Sequence, residues 1–207
     1  IFLNSLSSAD ESKNSIEDII RIFMKYKSDH FINTKFIPLN NLKGWDLNSN
    51  HIEKRTNSEF KISGISSNLK TREVMNWDQP IIHQNGIGIF GLIGKIIQNK
   101  LHVIVKIIPE VGIFDVVELG PTIQYVNKPL EKKDHYYDFI INSQNKQTLI
   151  DTYQSEEGGR FLNEQNRNIF ALANDDFNEE LLPGYIWIDL YQLSFLNQFN
   201  NILNIQL

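Results

Sequence analysis

Three short stretches of the chain gather side chains that can do chemistry. The first is Trp77-Asp78-Gln79-Pro80-Ile81-Ile82-His83-Gln84. It sets an aromatic ring, two amides, a carboxylate and an imidazole beside an apolar run. Trp77 can stack on a base or a sugar. Gln79 and Gln84 are neutral hydrogen-bond donors, and His83 can take up a proton near neutral pH. The second runs Pro109-Glu110-Val111-Gly112 and then Glu118-Leu119-Gly120-Pro121-Thr122-Ile123-Gln124. A carboxylate between Pro and Gly is held in a turn. Glu118 lies among apolar neighbours, where desolvation raises a carboxyl pKa and suits it to proton transfer. The third is Ser155-Glu156-Glu157-Gly158-Gly159-Arg160-Phe161. Its arginine fork beside a glycine pair fits a diphosphate or another oxyanion. Each stretch has a plain structural alternative: a packed Trp at a strand entrance, solvated turn glutamates, and a charged turn with a surface ion pair.

Other chemistries are excluded. The sequence holds no GxxxxGK[ST], HExxH or GxSxG motif. His30, His51, His83, His102 and His135 lack metal-ligand spacing. The Gly86-Ile-Gly88-Ile-Phe-Gly91 spacing lies inside an apolar strand, so it reads as close backbone approach and not as a dinucleotide loop. With no cysteine there are no disulfides and no thiolate nucleophile, which is compatible with a cytoplasmic setting. A formal net charge of −5 without a basic block argues against nucleic acid and anionic membranes. No apolar run approaches the roughly twenty residues of a membrane span. The start lacks signal-peptide features and an initiator Met, so a slightly longer parent chain is expected.

The elements that must position these groups follow from periodicity. At 207 residues one domain is expected, with residues 1–14 as a loose polar arm. Ser15 caps an amphipathic helix over 16–27, with Ile16, Ile19, Ile20, Phe23 and Met24 at helical spacing. Residues 60–65 alternate as a strand. The apolar run from Ile81 to Ile97 turns at Gln98-Asn99-Lys100 into a strand over 101–108, with another over 113–119. These neighbours predict a mainly antiparallel sheet. Residues 136–141 and 147–154 read as strands, 161–162 and 169–172 as shorter ones. Trp187, Leu190, Tyr191, Leu193, Phe195, Leu196 and Phe199 read as a closing helix.

Taken in order, the motifs resemble the nucleotide-diphospho-hexose 2,3-dehydratase family. They are Gly44-Trp45, W-x-Q-P-I-I-x-Q from Trp77, G-I-x-G-L-I from Gly88, Pro109-Glu110-x-Gly112, Leu119-x-Pro121-Thr122-x-Gln124, Ser155 to Phe161, and Trp187 with Leu190. The resemblance implies an α/β (α+β) fold with a Nudix-like mixed β-sheet flanked by helices. It implies a lyase that needs no cofactor or metal. Its substrate is an NDP-4-keto-6-deoxy-hexose, most often on dTDP, from which water is removed across C2 and C3 in deoxysugar biosynthesis. Family members are about twice as long and hold two such repeats, so a homodimer is expected to stand in for the second. His51 survives in the stretch after Trp45, but Ser58-Glu59-Phe60 replaces the family's Gly-Phe-Phe cluster.

On this reading Glu110 or Glu118 is the catalytic base, with His83 as its rival. Trp77, Gln79, Gln84, Thr122, Gln124, Glu157 and Arg160 are the substrate-binding set. Two alternatives use related chemistry: an NDP-4-keto-hexose isomerase of Nudix-type or cupin-like fold, and a non-catalytic nucleotide-sugar-binding subunit.

Overall fold

The computed structural model describes residues 2–7, 11–56, 58–71, 73–126 and 134–207. It is a mixed α+β structure with two sheets and few helices, and a central strand explains its layering. Strand β6 (Lys100–Pro109) is buried on both faces from Lys100 to Val105, which is why it reads as a continuous apolar run with no alternation. On one face Val103, Val105 and Ile107 meet Ile19 and Phe23 of helix α2 (Ile16–Asp29) and Leu196 of helix α4 (Leu190–Leu196). On the other face Ile104 meets Tyr136 and Ile140 of helix α3 (His135–Asn142). The sheet therefore has a helical layer on each side and two apolar cores. No helix of the described residues is long and apolar enough to cross a membrane.

This larger sheet runs β11-β6-β5-β10-β9, with β7 paired to β6 and β8 paired to β5. Strand β5 spans Gly88–Ile97, β7 Val117–Gly120, β8 Ile123–Tyr125, β9 Lys146–Ser155, β10 Gln165–Ala173 and β11 Tyr185–Asp189. β5 and β10 pair in parallel from Gly88–Asn166 to Gly94–Leu172, while the other pairs are antiparallel. The β5–β6 hairpin turns at Gln98 and Asn99, both with positive φ (50° and 61°), the backbone demand of a tight primed turn. The two strands pair from Ile97–Lys100 to Ile93–Ile104 and then separate. β7 and β8 fill the gap, β7 on β6 and β8 on β5. The chain thus forms a fork hinged at Pro121–Thr122. Gly91 allows the close packing beneath it, because a Cβ there would lie 2.6 Å from Ile140 and 2.7 Å from Ile123.

The smaller sheet is an antiparallel meander of β1 (Trp45–Leu47), β2 (His51–Lys54), β3 (Phe60–Asn68) and β4 (Asn76–Gln84). It is fastened to the larger sheet by backbone. The Ile82 N–H donates to the Arg160 carbonyl and the Leu162 N–H to the Ile82 carbonyl, each at 2.8 Å.

Four sequence expectations change. The strand expected over 113–119 begins only at Val117, because residues 113–116 form the turn that leads into β7. Residues 136–141 form helix α3, not a strand. Asp134 caps it by accepting from the Tyr136 and Tyr137 N–H groups at 2.9 and 3.0 Å, and a short apolar run fits either period until a cap decides. Trp187 lies on β11, opposite Ile104, and the last helix begins only at Leu190. Its start is fixed by a capping box between Asp189 and Gln192. The segment expected as a loose arm contains helix α1 (Phe2–Ser7), where buried Ser5 accepts from the Leu101 N–H at 2.8 Å. Within that arm, residues 1 and 8–10 lie outside the described residues.

Candidate active site

The first and third chemical stretches meet. Trp77 Nε1 donates to Gln79 Oε1 at 2.6 Å, and Gln79 Nε2 donates to the Gly159 carbonyl. The next residue, Arg160, forms an exposed ion pair with Glu157. The turn between β9 and β10 is therefore held against β4 by Gln79 and by the Ile82 backbone bonds. Trp77 lines a shallow concavity of about 610 Å3 with Thr71, Glu73 and Val74. Strand alternation divides the remaining pair. His83 shares a face of β4 with Gln79 and Ile81, whereas Gln84 shares the opposite face with Ile82.

The second stretch surrounds the fork. β7 buries Val117 and Leu119 in the α2–α4 core, which turns Glu118 and Gly120 to the opposite face. Glu118 is half-buried. Burial is the largest cause holding its carboxyl above the ordinary value of 4.5, and the like charges of Glu110 and Asp115 add to it. The turn that presents Glu118 is strained, since Val116 has a φ of 72°, a costly conformation for a β-branched residue. Val116 keeps it while packing against the core. Glu110 is exposed at the start of the same turn.

Across the hinge, Gln124 accepts from Asn204 Nδ2 at 3.1 Å. The same Asn204 nitrogen lies 2.8 Å from where a Cβ on Gly120 would be. Asn204 therefore joins the Glu118 face of β7 to Gln124.

Gln124 begins a polar row that the sequence reading missed. It pairs with Phe90, Phe90 with Asn168, and Asn168 with Thr152. One step along, Gly88 pairs with Asn166, and Asn166 with Gln154. Paired residues share a sheet face, so Gln124, Asn168, Asn166 and Gln154 look the same way. Asn168 Nδ2 donates to Gln154 Oε1 at 3.0 Å. Asn166 Nδ2 donates to Glu156 at the edge of the β9–β10 turn. The alternation Glu164-x-Asn166-x-Asn168 ahead of the apolar run Ile169–Leu172 was the available signal. Asn204 carried none, because it follows Asn197, Asn200 and Asn201 with no spacing that singles it out.

Thr122 takes a different role from the one expected. It is fully buried, accepts from the Ile93 N–H at 2.9 Å and donates to the Ile104 carbonyl at 2.6 Å. It ties the crotch of the fork, satisfying one backbone group on each diverging strand, and presents no surface to a ligand.

Chemically, the arrangement offers a carboxyl shifted toward neutral pH, a face lined with neutral amides and an exposed arginine on a glycine turn. Comparison with known proteins gives this a context. The family model described as NDP-hexose 2,3-dehydratase matches residues 16–207. A dTDP-4-dehydro-6-deoxy-alpha-D-glucopyranose 2,3-dehydratase of Streptomyces violaceoruber is 33% identical over 82% of this chain and 39% of its own length. A protein of the same name from Amycolatopsis orientalis is 28% identical over 89% of this chain and 40% of its own. The chain thus spans about two fifths of the curated relatives it matches. Among solved structures, an ADP compounds hydrolase gives a TM-score of 0.41 at 14% identity, covering 69% of this chain and 77% of that one. With its family's pattern matched from α2 to the last residue, this chain belongs to the NDP-hexose 2,3-dehydratase family.

Proposed function

We propose that the chain removes water across C2 and C3 of an NDP-4-keto-6-deoxy-hexose, with the dTDP-linked glucose derivative as its substrate. The relatives' names support the substrate. The observation that carries the chemistry is Glu118: half-buried, pressed by two like charges, and on a face that continues through Asn204 into the amide row.

The C4 ketone acidifies the C3 proton. Glu118 takes that proton, and its electron pair forms an enolate stabilised at the C4 oxygen by neutral donors. As the C2–O bond breaks, the C2 hydroxyl leaves as water with a proton from an acid. The C2–C3 enol then tautomerises to the 3,4-diketone. Arg160, freed from Glu157, binds the diphosphate, and Trp77 stacks on the nucleoside. The protein works as a homodimer. The support is β9, an outer strand with Leu149, Ile150 and Tyr153 exposed by 37%, 49% and 55%.

The test is turnover of dTDP-4-keto-6-deoxy-glucose, with loss of one water read by mass spectrometry. Glu118→Gln should lower the rate by about 100-fold or more while leaving dTDP binding intact. Glu110→Gln and His83→Asn should stay within a few-fold of wild type. A Glu118→Gln enzyme at wild-type rate overturns the assignment of the base. Unchanged mass with an isomeric product would overturn dehydration itself.

A further inference from the structure

Gln84 Nε2, Glu164 Oε2 and Asn166 Oδ1 are buried and have no hydrogen-bond partner among the described residues. All three sit where β4, the start of β5 and the β9–β10 turn converge. Asn166 is 6% exposed. Its Nδ2 donates to Glu156, which fixes the amide orientation and leaves Oδ1 over Gly88. A Cβ on Gly88 would lie 2.2 Å from that oxygen, so the close approach needs glycine. Glu164 lies two residues before Asn166, and its carbonyl accepts from the Glu156 N–H at 3.0 Å. The parallel bridge between Ile82 and Phe161 runs β4 beside this segment, which brings Gln84 abreast of residues 163–164.

A buried polar atom without a partner is costly, and here two acceptors, Glu164 Oε2 just ahead of β10 and Asn166 Oδ1 on it, stand beside one donor, Gln84 Nε2. An ionised Glu164 offers no donor. A protonated Glu164 gains an O–H that can donate to Asn166 Oδ1, and it keeps acceptor capacity for Gln84 Nε2. We propose that Glu156, Asn166 and Glu164 hold one proton between two carboxyls at neutral pH, resident on Glu164, and that it is the acid for the departing C2 hydroxyl. The last clause rests on the dehydratase reading, while the first does not. Burial, and then the like charge of Glu156, keep the Glu164 carboxyl above its ordinary value of 4.5. The other charged or titratable side chains on the packed elements are Asp78 and His83 on β4, Lys95 on β5, Lys146 and Tyr153 on β9, the Asp151–Arg167 pair across β9 and β10, and the Glu157–Arg160 pair.

In the step, the Glu164 O–H proton passes to the C2 oxygen as the C2–O bond breaks. Water leaves, and Glu164 becomes a carboxylate. The C3 proton rests on the base, and its electron pair ends in the C2–C3 double bond. Solvent exchange returns the proton to Glu164 after product release.

Thermal unfolding of wild type, Glu164→Gln and Glu156→Gln from pH 5 to pH 8.5 tests the shared proton without activity. Below the unfolded carboxyl value of 4.5 both states of wild type are protonated, and Glu164 costs nothing. As pH rises through the higher folded value, the unfolded state ionises more readily and wild-type stability falls. Glu164→Gln cannot ionise, so its melting temperature should gain on wild type by about 2 °C or more between the two ends. Glu156→Gln should shrink the wild-type slope. A Glu164→Gln gap that does not change with pH overturns the shared proton. Turnover tests the acid role. Glu164→Gln should lose about 100-fold in rate with dTDP binding kept. A pH-dependent gap with wild-type turnover overturns the transfer step alone. If wild type dehydrates nothing, the dehydratase reading fails while the melting comparison still decides the proton.

Discussion

Thr122 and Glu118, four residues apart, show how two polar side chains of one motif part company. Glu118 faces away from the α2–α4 core and keeps a carboxyl that titrates toward neutrality. The Thr122 hydroxyl is consumed by Ile93 and Ile104. Thr122→Val keeps the shape and deletes both bonds, leaving a buried N–H and a buried carbonyl at the crotch of the fork. Urea denaturation should show a loss of about 2 kcal/mol. A loss of a few tenths would mean that the strands close over the gap without it. The motif's order was legible in the sequence. The burial that separates a staple from the proposed base was not, because it depends on β5 and β6 diverging. The amide row was hidden for a similar reason: Gln124, Asn166 and Asn168 become neighbours only through register across three strands.

At the scale of elements, the hairpin, β3, β9 and α2 were readable because their period and turn residues agree. Residues 136–141 carry no decisive period, because Tyr136 and Ile140 satisfy both an alternating and a helical pattern. Asp134 settles the matter locally through its two cap bonds, and it also accepts from the Tyr125 hydroxyl on β8. Burial, followed by that carboxylate, holds the Tyr125 phenol well above its usual range, so the hydroxyl stays protonated and keeps donating. The cap thus ties α3 to the arm of the fork that carries Gln124. Asp134→Ala should cost about 1 kcal/mol from the cap alone. It should also weaken hydrogen-exchange protection in β8 more than in β9. Equal loosening of both strands would show that α3 is held by its apolar face alone.

At the scale of the molecule, β9 is the element left without a reason of its own. Every residue from Gln147 to Ser155 is exposed, so among the described residues nothing covers either face of the strand. A ten-residue outer strand is a pairing hazard, and the register shift opposite Phe170–Ala171 blunts its open edge. What remains for a partner is the face. Ile150 pairs with Phe170, and Thr152 with Asn168, so Ile150 shares the face that bears the amide row. A second copy seated there would cover the exposed isoleucine and shut solvent from the proposed site in one movement. Ile150→Lys should therefore turn a dimer into a monomer in sedimentation velocity. Turnover should fall with it and recover as protein concentration rises, while the melting temperature of the monomer stays close to that of wild type. A wild-type protein that sediments as a fully active monomer would remove the homodimer from the proposal and leave the chemistry of Glu118 to stand on one chain.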